Sequence, residues 1–407
     1  MAAYLYDGEG DLESMAYNNG PSFGYAYDYD GNLLSQTDPG GTSTYTYDPL
    51  GRLTDESLPG NEQHGYQYDP AGNLVQKTDN FGSIGYTYNA ADEPVTVTDR
   101  QGQSYNLSYD QDGNESGLTY PNGISETIAH DANGEPTDLL ATMGGQTVAH
   151  FTASFTNPLN DKPGDQLFAE TALVNAGSDT INSSTSYTYD AAGNLSKSAV
   201  SNQGGNGAAY SYRYDAAGNL TNEDVNGAVT GLTYNSAEEL TKATGAISQT
   251  YTYDANGELV SRSDGLLASY NPGQQTVSMT PPGGSAISMS YRGASEAERI
   301  GNGGTTYQYD ATVIDEINVP TGGGQMPQSQ ETSKLGRIIR PEVLQPGLGG
   351  GSNELTTTPF GQSLSDTIVT TSGSSTSYPI YSPTGTTAAV TSTTGAVVQT
   401  VTYDANG

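Results

Sequence analysis

A nine-residue phrase recurs along this chain and constrains its fold more than any other feature. It reads Tyr66-Gln67-Tyr68-Asp69-Pro70-Ala71-Gly72-Asn73-Leu74, and variants of it run almost from end to end. Tyr-x-Tyr puts two aromatic rings on one face of a strand, because strand side chains alternate with period two. The Asp opens a turn by accepting backbone N–H groups ahead of it, and the Gly takes the positive-φ position that closes a longer hairpin loop. Asn-Leu then begins the returning strand. The phrase predicts a β-hairpin.

Its spacing extends the prediction to the whole chain. The Tyr of the Tyr-Asp step falls at 6, 27, 47, 68, 88 and 109, with His130 in the next slot, and resumes at 189, 214, 234, 253, 270, 291, 309 and 403. A period of about 20 residues marks a repeat architecture in which each unit buries its apolar face on its neighbours. The motif positions expected to carry the structure are Tyr27, Asp28 and Gly31; Tyr47, Asp48 and Gly51; Tyr68, Asp69 and Gly72; Tyr109, Asp110 and Gly113; Tyr189, Asp190 and Gly193; Tyr214, Asp215 and Gly218; and Tyr253, Asp254 and Gly257. The expected fold class is all-β, with tandem hairpins of about 20 residues forming a spiralling β-ribbon or hollow barrel. Roughly 18 units of two strands at ~4.8 Å per strand give a ribbon on the order of 170 Å long, or about one turn roughly 55 Å across.

Composition matters at one point. The aliphatic content is low enough to suggest disorder, but 30 Tyr residues stand in register with the repeat, whereas disordered chains are poor in aromatics. Tyrosine has largely replaced the aliphatic core.

Five stretches follow from the pattern. Residues 1–142 are clear repeats and 143–182 are worn ones, with Phe151, Phe155 and Phe168 near expected Tyr positions. Residues 183–318 return to clear repeats. Residues 319–377 are a Gly/Pro/Ser-rich loop or partial plug, and 378–407 resume strand alternation and stop within the motif at Tyr403-Asp404-Ala405-Asn406-Gly407, as a truncated unit would. Asp-x-x-Gly echoes such as Asp79-Asn80-Phe81-Gly82 and Asp99-Arg100-Gln101-Gly102 read as the second turn of each repeat, on the opposite edge.

Charge and chemistry narrow the function. A formal net charge of −33, from 46 acidic and 13 basic residues, leaves no basic patch for nucleic acid or an anionic membrane. With no Cys there is neither a disulfide nor a thiolate site. No segment approaches 18 continuous apolar residues, so no membrane span is expected, and residues 1–20 lack the charged start and apolar run of a signal peptide. His64, in what reads as a Gly/Gln-rich turn, His130 and His150 are the only histidines, and none sits in a hydrolase, metalloprotease or P-loop motif. Neither a catalytic nor a metal site is expected, nor any cofactor. Asp28-Tyr29-Asp30-Gly31-Asn32 and Asp110-Gln111-Asp112-Gly113-Asn114 start like calcium loops, but Pro39 and Pro121 occupy the twelfth position, where a Glu ligand is needed. Turn capping explains them better. The Tyr rings could stack on glycans, an open alternative to their role as core.

These repeats resemble the RHS or YD-repeat family, named for the Tyr-Asp step, over nearly the whole chain. The run from Thr305-Thr306-Tyr307-Gln308-Tyr309-Asp310 to Thr402-Tyr403-Asp404 resembles the end of that family's core, although the D-H-L-G-S of other members is reduced here to Gly385. The family includes bacterial polymorphic toxins, the cage component of insecticidal Tc toxins, and teneurins. The resemblance implies a hollow β-shell, secreted or at the cell surface, that in the toxins encloses a C-terminal toxic domain released by Asp-dependent self-cleavage downstream of the core. The cleavage region would follow Gly407. A shell segment that encloses or scaffolds a C-terminal toxin or effector is therefore expected, without cargo or protease in this stretch and without enzymatic activity. The alternative is a structural or adhesive surface protein that associates with itself or binds glycans.

Overall fold

The computed structural model describes residues 2–80, 82–159, 162–164, 166–176, 179–202, 205, 207–291, 299–302, 305–310, 313–318, 353–357, 369–372, 375–381, 387–392 and 394–400. Among these residues every regular element is a β-strand. Each strand pairs antiparallel with the strand before and after it in the chain, as Glu62–Tyr68 does with Leu53–Leu58 and Leu74–Asp79, and together they form one open sheet. The exception is a small hairpin, Thr156–Asn157 with Lys162–Pro163, which loops out while Gln146–Ser154 pairs directly with Ala169–Ala176. Asn157-Pro158 and Lys162-Pro163 sit in that excursion, where proline removes a ladder donor without harm. Of the stretch read as a loop or plug, 319–352, 358–368 and 373–374 lie outside the described residues; Asn353–Thr357 is a strand paired with Val313–Asn318.

The two faces of the ribbon differ in chemistry. One cross-strand row runs Leu107, Leu118, Glu126, Ala141, Ala149 and Val174, and all six are buried. Tyr105, Phe151, Ile124 and Leu139 belong to the same core, each aliphatic or aromatic side chain contributing about 1.5–3 kcal/mol by leaving water. The opposite face is a ladder of hydroxyl groups, with Thr37 on Thr42 at 2.9 Å, Thr78 on Ser83 at 3.0 Å and Thr152 on Thr171 at 2.7 Å, all exposed. Small polar residues on one face and Tyr with aliphatics on the other let a single sheet be wet outside and packed within.

The ribbon bends at the motif. A register shift falls between Ala26 and Tyr27, Thr46 and Tyr47, Gln67 and Tyr68, Ser108 and Tyr109, Thr188 and Tyr189, Arg213 and Tyr214, and Thr252 and Tyr253. A bulge on one strand raises the local twist and bends it, and these seven fall on the same edge, against far-edge shifts at Ala141/Thr142 and Val390/Thr391, so their bends add. The result is a coil tighter than the spacing implies. Gly20 lies against Pro272, and Gly273 against the Tyr17 ring. Farther along, the Asn122 side chain donates to the carbonyl of Ser392 at 3.0 Å, 270 residues away in sequence, and Gly395 lies against Met143. The first of these contacts returns after about two dozen strands, so the turn is on the order of 110 Å around and roughly 35 Å across. The 55 Å ring assumed that the whole chain makes one turn; the accumulated bulges bring it round sooner.

Successive repeats are tied by one recurring bond. The motif Tyr hydroxyl donates to the backbone carbonyl at the Leu position of the preceding repeat: Tyr47 to Leu33 at 2.9 Å, Tyr88 to Leu74 at 2.7 Å, Tyr109 to Pro94 at 2.9 Å, Tyr214 to Leu195 at 2.9 Å, Tyr234 to Leu220 at 2.9 Å and Tyr253 to Leu240 at 3.0 Å. Tyr234→Phe keeps the ring and deletes the bond, so denaturant unfolding should show a loss of about 1 kcal/mol. A second such change several repeats away, Tyr88→Phe, should add to it nearly in full. A neutral Tyr234→Phe would deny the bond its role.

Candidate functional site

The repeat turn is the most regular polar arrangement in the molecule. At Asp69, Oδ1 accepts the N–H groups of Gly72 at 2.8 Å and Asn73 at 2.9 Å, while Oδ2 accepts from the Asn73 side chain at 3.1 Å. Asp28, Asp110, Asp190 and Asp215 hold Asn32, Asn114, Asn194 and Asn219 in the same way, and Asp254 caps Asn256 and Glu258. Gly31, Gly51, Gly72, Gly113, Gly193, Gly218 and Gly257 all have positive φ. At the equivalent slots Asp92 and Glu238 adopt φ of 61° and 62°, a conformation that costs an L-residue more. Bonds from the Asn four residues on, its side chain first at Asp28 and Asp110 and its backbone first at Asp69, Asp190 and Asp215, hold these carboxyls below their ordinary range. Their stabilisation is present above that range and is lost on acidification.

At Asp48 an Arg stands where the others have Asn. Its guanidinium pairs with Asp48 at 2.6 Å, donates to the Asp69 carbonyl of the next turn at 3.1 Å and lies 4.7 Å over the Tyr68 ring. The oxygens that a calcium ion would need at Asp28 and Asp110 are thus already accepting N–H groups. Among the described residues no three His, Cys, Asp or Glu side chains come close enough together to hold a metal ion.

A second set of polar groups faces inward. His64 lies within strand Glu62–Tyr68, not in a turn, and is buried with Nε2 3.0 Å from Glu62. The period-two pattern Glu62, His64, Tyr66, Tyr68 could have placed it there. His130 fills a motif Tyr position beside the usual register shift, and its ring reaches toward Asp110 of the preceding turn at 3.8 Å. On the opposite, outward face His150, between the buried Ala149 and Phe151, pairs with Asp138 at 2.9 Å. Arg100 and Asp79 form a buried ion pair between successive far-edge turns, and Tyr105 donates to Asp99 at 3.1 Å.

Two inward carboxyls escaped the motif search. Glu115 occupies the Leu slot of its repeat, and burial raises its pKa to about 7. Glu126 alternates with Ile124 and Ile128 and sits between Leu118 and Ala141. Burial, reinforced by Glu115, raises its pKa to about 8, although the Tyr120 hydroxyl donates to it at 3.3 Å. An acid in a slot that is Leu elsewhere was the available signal for Glu115. For Glu126 it was an acid in phase with two isoleucines.

The sequence matches the RHS Repeat family over residues 6–42, 27–63, 68–104 and 88–125, and the Teneurin YD-shell family over 170–311. Together these spans take in more than half of the chain and most of its clear repeats. The chain belongs to the RHS/YD-repeat family. No curated protein matches it. Among solved structures it is similar to TcdB2-TccC3 without its hypervariable C-terminal region, at 13% identity and a TM-score of 0.55, with 99% of this chain and 21% of that one covered. It is also similar to TcdB2-TccC3-TEV, at 12% identity and a TM-score of 0.53, covering 99% and 25%. At such identity the likeness establishes the fold, and this chain spans a quarter or less of the length of those proteins. In RHS/YD terms the chain is shell scaffold: the Tyr-Asp turns form one edge and the Tyr rings line the packed face.

The two raised carboxyls give the shell a pH dependence. Glu126 and Glu115 are favoured neutral in the fold, so their environment is fully tolerated below about 4.5, the ordinary Glu value, and becomes a penalty as pH rises through about 7 and 8. Each pH unit in that window removes up to about 1.4 kcal/mol per group. Thermal unfolding should therefore fall in midpoint from pH 5 to pH 9, and Glu126→Gln should flatten most of the fall. An equally steep profile in the variant would remove Glu126 as its source.

Proposed function

We propose that this chain is wall material of a hollow RHS/YD shell whose task is to enclose or scaffold a C-terminal toxin or effector outside the producing cell, with no chemistry of its own. The observation that supports this most directly is the return of the ribbon onto itself, with Gly20 against Pro272 and Asn122 bonded to Ser392. A flat adhesive sheet has no use for such contacts; a container wall does. The inward face is also the packed one, and the outward face carries exposed hydroxyl pairs, suited to standing in water around a cargo. The TcdB2-TccC3 structures share the fold, and the carriage of a cargo is inferred from membership of the shell family.

The test is cryo-electron microscopy of the natural gene product in full, with limited proteolysis in parallel. Hollow particles with density inside, and a C-terminal segment cut only after the shell is unfolded, are the expected result. Rings, stacks or fibres with an empty lumen and an immediately cleaved C-terminal segment would replace containment with the adhesive reading.

A further inference from the structure

The outward face holds a feature hidden by the −33 net charge. Lys197, Arg213 and Lys242 are exposed, and among the described residues none of them forms an ion pair, whereas Arg52, Arg100 and Arg262 are all paired with Asp. That three cations stay unpaired among 46 acidic residues follows from where the strand register puts them. Lys197 stands opposite Thr188, Arg213 opposite Asn222, and Lys242 opposite Thr233. These six positions are the outward slots beside the motif Tyr and two residues after the motif Leu, so they follow the motif edge as three facing pairs in a stepped row, each pair displaced by two residues from the last because Lys197 faces Ser211 and Asn222 faces Gly231 across the intervening pairings. In the first array the same paired slots hold Thr46 with Asp55, Gln67 with Gln76, and Ala129 with Asp138. The cations are thus confined to one sector of the shell. The carboxylate nearest in register, Asp224, lies opposite Ser211, which itself faces Lys197, so it stands two strands from that lysine, and it is engaged by the Gly227 N–H at 2.6 Å.

We infer that this row, Thr188–Lys197–Arg213–Asn222–Thr233–Lys242, is a binding track for an acidic polysaccharide with carboxylated sugars. Paired strands are ~4.8 Å apart, close to the length of one sugar ring, and the two-residue steps between pairs add ~7 Å along the strand, so a sugar chain running obliquely across the strands meets the three facing pairs in turn. Lys197 and Lys242, four strand steps and two two-residue offsets apart, stand roughly 23 Å from each other, and Arg213 offers a planar fork for a carboxylate between them. Thr188, Asn222 and Thr233 supply hydroxyl and amide groups for the sugar hydroxyls. The occupant must be thin and sparsely charged. A second copy of the chain brings −33 of like charge, and duplex nucleic acid carries a charge every ~1.7 Å, most of which would face the acidic surroundings of the row.

The experiment is affinity electrophoresis of the full chain through gels containing polygalacturonate, dextran or duplex DNA, at low and at moderate salt. Retardation by polygalacturonate alone is expected, weakened by salt over a Debye length of ~10 Å at 0.1 M. The triple variant Lys197→Gln, Arg213→Gln, Lys242→Gln should bind roughly ten-fold more weakly or worse. These slots accept Gln, Ser and Thr in other repeats, so the variant should unfold like the parent, which its thermal midpoint checks. Single Lys242→Gln, with an intermediate loss, serves if the triple variant misfolds. No retardation, equal retardation of parent and variants, or equal retardation by DNA would each overturn the inference.

Discussion

Everything in this molecule depends on a phenolic hydroxyl reaching back one repeat to a main-chain carbonyl. A β-hairpin of six-residue strands is marginal alone, and neighbouring hairpins in an antiparallel ladder already share backbone bonds. The Tyr hydroxyl adds a side-chain tie at fixed spacing, from Tyr47 to Leu33 and again from Tyr253 to Leu240. Burial holds these phenols in their neutral, donating form, and Tyr109 is pushed up to about 12. Tyrosine therefore does in one residue what Leu and Asn would need two to do: its ring fills the packed face and its tip donates to a main-chain carbonyl of the preceding repeat.

The turn and the curvature have the same origin. Asp fixes the loop through Oδ1, Gly accepts the positive φ, and the register shifts at the adjoining Tyr, so the sequence that makes a hairpin also makes it bend. Because the chain repeats this at regular spacing along one edge, coiling needs no separate instruction. The other edge has no equivalent rule and is held by individual solutions, such as the Arg100–Asp79 pair and the Tyr105–Asp99 bond.

How much could be read in advance follows from this division. The hairpins, their period and the all-β class were legible because the motif states strand, turn and return in nine residues. The width of the coil was not, since a bulge of one residue leaves the period unchanged while altering the bend. Glu126 was hidden for a related reason: its meaning lies in Leu118 and Ala141 across two strand pairings, and register is invisible to a search along one strand. His64 was misplaced because Gly65 and the flanking Gln residues imitate a turn, whereas the Glu62–His64 contact belongs to a strand face. The cationic row was obscured by averaging. A net charge counts Lys197, Arg213 and Lys242 against 46 acids and discards the fact that they share a row.

The order of strand pairing has a mechanical consequence. Among the described residues each strand of the main sheet is bonded to the strands before and after it in the sheet, which apart from the small Thr156–Pro163 hairpin are its neighbours in the chain, so a pull on the two ends loads the ladder one hairpin at a time, as a zipper is opened, and does not shear many strands together. Contacts such as Asn122 with Ser392 lie across the turns of the coil and would be the first to part under tension. Such a ribbon would yield in small, even steps to a force drawn on a terminus.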